Sequence, residues 1–264
     1  MVKFTLSSVA ICLALLLGGC GLSPEEQDET AGWSAQQIYT EAKSSMQDGS
    51  YESAIKLFEK LEARYPYGRY AQQAQLDAAY SYYKSGEAAL AVAACDRFIR
   101  MHPNHRHVDY AYYLKGLVYF NEDLGLFGKF ARQDLADRDP RAARNAFDTF
   151  RELVQRFPES KYANDSRLRL QYLVNSLARH EVNVARYYLR RGAYVAAVNR
   201  AKETIASFPR TPAVEQALHV LVQGYGAMGM DTLRDDAQRI LDQNYPGSVA
   251  LADPQARRPW WQLW

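Results

Sequence analysis

The sequence predicts an all-α fold, a superhelical solenoid of about five helix-turn-helix repeats, on three observations. Apolar residues recur at helical spacing, and alternating β-branched runs are missing. A pattern of glycine, alanine, aromatic and proline returns along the chain, with 37 residues between Pro66 and Pro103 and again between Pro209 and Pro246. Side chains suited to helix capping stand where the helices should begin.

In chain order, the first element is a processing segment. Lys3 gives a short positive start, Phe4 to Leu17 an apolar run, and Leu17-Gly18-Gly19-Cys20 closes it. The run is short for a membrane span. It resembles a bacterial lipobox, which implies that residues 1–19 are a lipoprotein signal peptide that is removed. Cys20 would then carry a covalent N-acyl and S-diacylglycerol lipid; no other cofactor is expected. Gly21 stands where an Asp would imply retention in the inner membrane, so the outer membrane is the implied address. Residues 20–33 are acidic and poor in apolar side chains and read as the lipidated cysteine with a flexible tether. Cys12 leaves with the signal, so Cys95 is the one free thiol and no internal disulfide is expected. Losing Lys3 takes the net charge from +2 to +1, which offers no basic field for nucleic acid.

The repeats follow. Gly49-Ser50-Tyr51 leads into Ala54, Phe58 and Leu61 and closes at Pro66; Gly86 leads into Ala91, Cys95 and Phe98 and closes at Pro103. Ala143, Ala146, Phe150, Leu153 and Pro158 form a third copy, Gly192, Ala197, Ala201 and Pro209 a fourth, and Gly229, Leu241 and Pro246 a degenerate fifth. The units resemble tetratricopeptide repeats, whose period is about 34 residues. Glycine turns the chain between helices A and B, alanine lets them approach, the aromatic fills the space between, and proline stops helix B. An insertion is expected near 121–139, and an extra helical stretch near Tyr162 to Arg179. Ser34 to Gln37 reads as a capping box, and Asp139-Pro140 and Thr211-Pro212 as caps before a first-turn proline. The domains are thus repeats one to three over 34–158, repeats four and five over 159–250, and a Trp-rich tail over 251–264.

In such repeats positions 2, 5, 9 and 12 of helix A face an inner groove. They are Gln36, Tyr39, Lys43 and Met46, then Gln73, Leu76, Tyr80 and Tyr83, then Tyr110, Tyr113, Leu117 and Phe120. The first half of the groove is therefore aromatic, which suits a peptide because tyrosine offers a broad face and a hydroxyl at little entropic cost. The second half, Arg179, Val182, Arg186, Leu189, Gln216, His219, Gln223 and Gly226, is more polar and basic.

Catalytic chemistry finds little foothold. His102, His105 and His107 cluster without a nearby cysteine, so a zinc site is not expected. No nucleophile elbow, metalloprotease signature or phosphate loop occurs. Cys95 occupies a packing slot and reads as a structural thiol. Trp260, Trp261 and Trp264 concentrate three of the four tryptophans at one end and suit docking to a partner, to a membrane interface or back onto the last repeat.

Four stretches are more specific than the repeat itself: Arg64 to Asp77; Asp96 to Arg100 with His102-Pro103 and Val108-Asp109-Tyr110; Asp137 to Arg141; and Val184 to Tyr188 with Arg190 to Tyr194 and Val198-Asn199-Arg200. With the lipobox and tether they resemble the BamD family, lipoprotein subunits of the outer-membrane β-barrel assembly machine. The resemblance covers roughly residues 34 to 247 and leaves out the tail. It implies a non-enzymatic scaffold, lipid-anchored to the outer membrane of a Gram-negative bacterium and facing the periplasm. Its first half would hold the C-terminal targeting signals of unfolded outer-membrane β-barrel proteins, on Tyr39, Gln73, Leu76, Tyr80, Tyr83, Tyr110, Tyr113 and Phe120. Its second half would bind the barrel subunit BamA through Arg186, Asn199 and Arg200, and other assembly lipoproteins would join. The alternative is another periplasmic repeat lipoprotein, such as a pilotin-like secretin assembly factor.

Overall fold

The computed structural model describes residues 28–124 and 140–250. Ten α-helices fill them, with no strand among the described residues. Repeat one is α1 (Ala35–Gln47) and α2 (Tyr51–Arg64), and repeat two α3 (Arg69–Ser85) and α4 (Ala88–Met101). Repeat three is α5 (Val108–Leu124) and α6 (Arg141–Arg156). Repeat four is α7 (Ala163–Arg190) and α8 (Tyr194–Ser207), and repeat five α9 (Ala213–Ala227) and α10 (Asp231–Asn244). Each helix packs on its sequence neighbours, and the A helices also touch one another where α1 meets α3, α3 meets α5 and α7 meets α9. This nearest-neighbour stacking is the signature of a solenoid.

Local chemistry sets the ends of each helix. At α1 the Gln37 N–H donates to Ser34 Oγ (3.3 Å) while Ser34 N–H donates to Gln37 Oε1 (2.8 Å), so the capping box is complete. Between helices A and B, Gly86 takes φ of 87° and Gly192 of 74°, a left-handed turn that a side chain would strain by about 1–2 kcal/mol. Helix B ends two residues before proline in all five repeats, at Arg64, Met101, Arg156, Ser207 and Asn244. The residue between has left the helical region, which a following proline disfavours, with φ near −130° and ψ between 51° and 69°. That residue is always a ring: Tyr65, His102, Phe157, Phe208 and Tyr245. Four of the five rings pack against neighbouring core clusters, and His102 lies 5.0 Å from the Phe98 ring. The core between the helices rests on Phe58, Phe98 and Phe150, all essentially buried, each contributing about 1.5–3 kcal/mol of transfer energy.

The structure sharpens or corrects several expectations. The extra helical stretch expected near Tyr162 to Arg179 is present, and it runs on without a break into helix A of repeat four as α7, a single helix of 28 residues. Thr211 does not cap α9, because its hydroxyl donates backward to the Phe208 carbonyl (3.0 Å) and Pro212 takes the cap position. Folded structure begins before Trp33. Asp28 accepts from Lys60 (2.9 Å) and Arg64 (2.5 Å), Thr30 is buried, and Tyr65 donates to the Trp33 carbonyl (2.8 Å). The insertion begins as helix, since α5 runs to Leu124. Asp139, Cys20 and residues 251–264 lie outside the described residues.

Candidate functional site

The first half of the groove is built on a carboxylate that is not among the residues expected to line it. Asp77 on α3 is buried, at 8% exposure, and faces α1. Tyr39 donates its hydroxyl to Asp77 Oδ2 (2.8 Å), Gln73 donates to Oδ1 (3.3 Å), and Lys43 Nζ stands 3.4 Å away. Burial first, and the Asp77 charge second, push the Tyr39 hydroxyl far above its ordinary pKa, so it stays a donor at any physiological pH. Tyr39 also lies against Phe58 and Tyr70, at ring separations of 6.1 and 5.5 Å. Further along, Tyr80 sits between Tyr51 and Tyr83, 6.5 Å from each, and the Tyr83 hydroxyl is bonded to the Asn121 amide. Tyr110 is half-buried beside Tyr162, and burial raises its hydroxyl pKa as well.

Leu76 does not belong to this surface. It is 1% exposed and packs with Phe98 and Ala111, because its side of α3 faces α4 and α5. The signal for Asp77 was present in the sequence, four residues after Gln73 on the same helical face.

Beyond Tyr110 the groove wall is a clasp between α5 and the first half of α7. Tyr113 stacks on Tyr162 (4.5 Å, 17° between planes) and donates to Asp165 Oδ2 (2.8 Å). Arg169 Nε bonds the same oxygen (2.6 Å) and lays its guanidinium over Phe120 (4.8 Å), which leans on Tyr172 (5.8 Å). Desolvation raises the Asp165 pKa, but the bonds from Arg169 and Tyr113 outweigh it and hold the group below its ordinary value.

The second half carries a buried carboxylate, Glu181 on α7. Arg200 on α8 pairs with Glu181 Oε2 (2.8 Å), and Arg144 on α6 holds Oε1 (2.8 Å). Glu181 itself is buried while both arginines stay about half-exposed. Arg186 lies five residues further along α7, a rotation of roughly 140°. It lines a cleft between α7 and α9 with Leu189, Arg190, Gln216 and His219. Asn199 is exposed. The His102, His105 and His107 rings lie 5.5 to 6.4 Å apart, with His102 on Gln75 and His107 on Arg106. Among the described residues no group of three or more His, Cys, Asp or Glu is arranged to hold a metal. Burial pushes the Cys95 thiol up to about 12, the behaviour of a structural cysteine.

Residues 32–240 match the YfiO family, described as outer membrane lipoprotein. The chain belongs to that family. It is 46% identical to the outer membrane protein assembly factor BamD of Neisseria meningitidis serogroup B, over 97% of this chain and 98% of that one. The BamD of Vibrio cholerae serotype O1 is 35% identical, over 92% and 99%, and that of Xylella fastidiosa Temecula1 36%, over 91% and 82%. Membership in an outer-membrane lipoprotein family associates the chain with the outer membrane and does not favour the pilotin-like reading. No described helix is long and apolar enough to cross a membrane. The family span takes in Asp77, the Tyr113 clasp and the Glu181 bridge, and stops before the tail.

Proposed function

We propose that this chain is an outer-membrane protein assembly factor that holds the C-terminal targeting segment of an unfolded β-barrel protein in the aromatic groove of repeats one to three. Repeats four and five dock BamA, and Cys20 carries the lipid that keeps both beside the outer membrane, on its periplasmic side. One observation supports the reading above the others: the line of half-buried rings on the A helices, Tyr39, Tyr80, Tyr83, Tyr110 and Tyr113. It pairs apolar faces with hydroxyl and amide groups, the chemistry that an extended peptide with an aromatic end can use. A groove already fixed by Asp77 and Asp165 loses little freedom on binding, whereas the peptide pays for its own ordering. Affinity for one signal is therefore modest, on the order of micromolar or weaker.

The test is a fluorescence-anisotropy titration of a labelled peptide, copied from the C-terminus of an outer-membrane barrel protein, against wild type, Tyr80→Ala and Tyr83→Ala. Both variants are expected to weaken binding about ten-fold while keeping the circular dichroism spectrum of wild type. Equal binding by all three chains removes the aromatic groove as the signal site.

A further inference from the structure

Antiparallel helix pairs sort the connections of the solenoid onto two edges. The turns from helix A to helix B lie on one, and the loops from helix B to the next helix A on the other. The two edges differ in charge. Each of the first four B-to-A connections carries an exposed cation: Arg69 at the start of α3, then Arg106, Lys161 and Arg210. Glu159 is the one carboxylate in loops 65–68, 102–107, 157–162 and 208–212. The described A-to-B turns hold Asp48 and Glu87 against Arg191.

The four cations also keep their charge uncompensated. Arg69 lies over the Tyr70 ring (4.8 Å), Lys161 over the Tyr162 ring (5.0 Å), and Arg106 donates to His107 Nε2 (2.9 Å). Among the described residues none of the four forms a salt bridge, whereas exposed arginines on the helix faces do, Arg97 with Glu62, Arg151 with Asp148 and Arg239 with Asp236. Beside the cations the same edge shows Tyr67, 92% exposed, and Met101, also exposed. Asp28 is clamped on Lys60 and Arg64 at the C-terminal end of α2, so the connection back to Cys20 starts from this edge as well.

We propose that this edge is a membrane-contact surface, on which Arg69, Arg106, Lys161 and Arg210 rest against the phosphates of an anionic phospholipid leaflet and Tyr67 sits at headgroup level. The proposal rests on the reading of Cys20 as a lipid anchor only for how the edge is brought to the bilayer. A row of cations without answering carboxylates matches a sheet of phosphates, and a tyrosine tip suits the boundary between polar and apolar layers. Each cation near such a surface strengthens adsorption about five-fold. An anchor eight residues away supplies an effective concentration in the millimolar range, so four weak contacts suffice to orient the solenoid. Standing on this edge, the repeats turn their A-to-B turns away from the bilayer.

The test uses residues 20–264 with Cys20→Ser, which retain every described residue. An N-terminal histidine tag holds the chain on vesicles that contain nickel-chelating lipid, so the outcome does not depend on acylation. Acylation of Cys20 is read separately, by mass spectrometry of the chain isolated from membranes. An environment-sensitive fluorophore is attached at Asn104→Cys on the B-to-A edge or at Glu87→Cys on the opposite edge. The two sites are separated by α4, about 21 Å long, and Cys95 is buried out of reach of the label. The quencher is a lipid with a nitroxide headgroup. On vesicles of equal parts phosphatidylcholine and phosphatidylglycerol, quenching at 104 is expected to exceed that at 87 by about three-fold or more. Replacing phosphatidylglycerol with phosphatidylcholine, or raising the salt to about 1 M, is expected to remove the difference. The quadruple variant R69Q, R106Q, K161Q, R210Q, with its helical spectrum intact, is expected to remove it as well. Equal quenching at the two sites, stronger quenching at 87, or a difference that persists in high salt overturns the proposal without recourse to the variant.

Discussion

Glu181 holds repeats three and four together with a charge that has left water. A carboxylate so placed is tolerated because two guanidiniums reach it, one from α6 and one from α8. Either arginine can neutralise it alone, so Arg144→Ala and Arg200→Ala are each expected to cost about 1 kcal/mol. The double variant leaves the buried charge uncompensated and should cost about 3–5 kcal/mol. Urea unfolding of the four chains in the cycle measures this; simple additivity would show that Glu181 finds other compensation. The result also bears on the proposed role of Arg200 in docking BamA, because a binding loss in Arg200→Ala means little until its stability is known. Residues of this kind are the least legible in the sequence. Tyr39, Tyr80 and Tyr113 could be placed from periodicity because large rings on a helix face declare themselves. Asp165 and Glu181 could not, because an isolated carboxylate on a helix reads as a solvated face until a neighbouring helix supplies its donors, and Asp77 had only its spacing from Gln73 to mark it. Leu76 failed in the opposite sense: its position along α3 was read correctly, but that side of the helix turns toward Phe98.

At the scale of the element, the turns and stops were legible and the close approaches were not. Prolines and left-handed glycines act locally, so all five helix B ends fall two residues before the expected proline. The continuity of α7 was legible too, for no glycine or proline interrupts Tyr162 to Arg191. Gly116 carries no such local signal. A Cβ at this position in α5 would lie 2.5 Å from the Phe150 ring, so the glycine exists to let α5 and α6 meet. Gly116→Ala gains helix propensity, worth about 1 kcal/mol, but overpacks the interface by about 1–3 kcal/mol. A net fall in thermal midpoint of a few degrees is expected, with partial recovery when Phe150→Leu is added. A midpoint that rises in Gly116→Ala would mean that the ring moves aside freely.

For the whole molecule, what matters is how far the repeats stand from the membrane. The sequence suggests a loose leash up to Trp33, about 45 Å of chain from Cys20 at full extension. The clamp of Asp28 on Lys60 and Arg64 shortens it to eight residues, or about 28 Å. On the proposed lipidation of Cys20, repeat one and its aromatic groove would be confined within about that reach of the bilayer. The clamp is ionic at an exposed site. The Thr30 hydroxyl, followed by the Lys60 ammonium, holds the Asp28 pKa well below the ordinary carboxylate value. A depressed carboxylate pKa means that the contribution is complete above the unfolded value near 4 and fades only as the pH falls toward the folded one. Neutral and mildly acidic media therefore leave the clamp closed, whereas high salt screens and loosens it. Limited chymotrypsin digestion reads this directly through cleavage after Trp33. Asp28→Ala should raise the rate about ten-fold at low salt and bring it to the level that wild type reaches in about 1 M salt, with the helical spectrum unchanged. If Asp28→Ala and wild type are cut at the same rate at low salt, the Trp33 and Tyr65 packing alone holds the leash, and the ionic clamp plays no part in setting the distance.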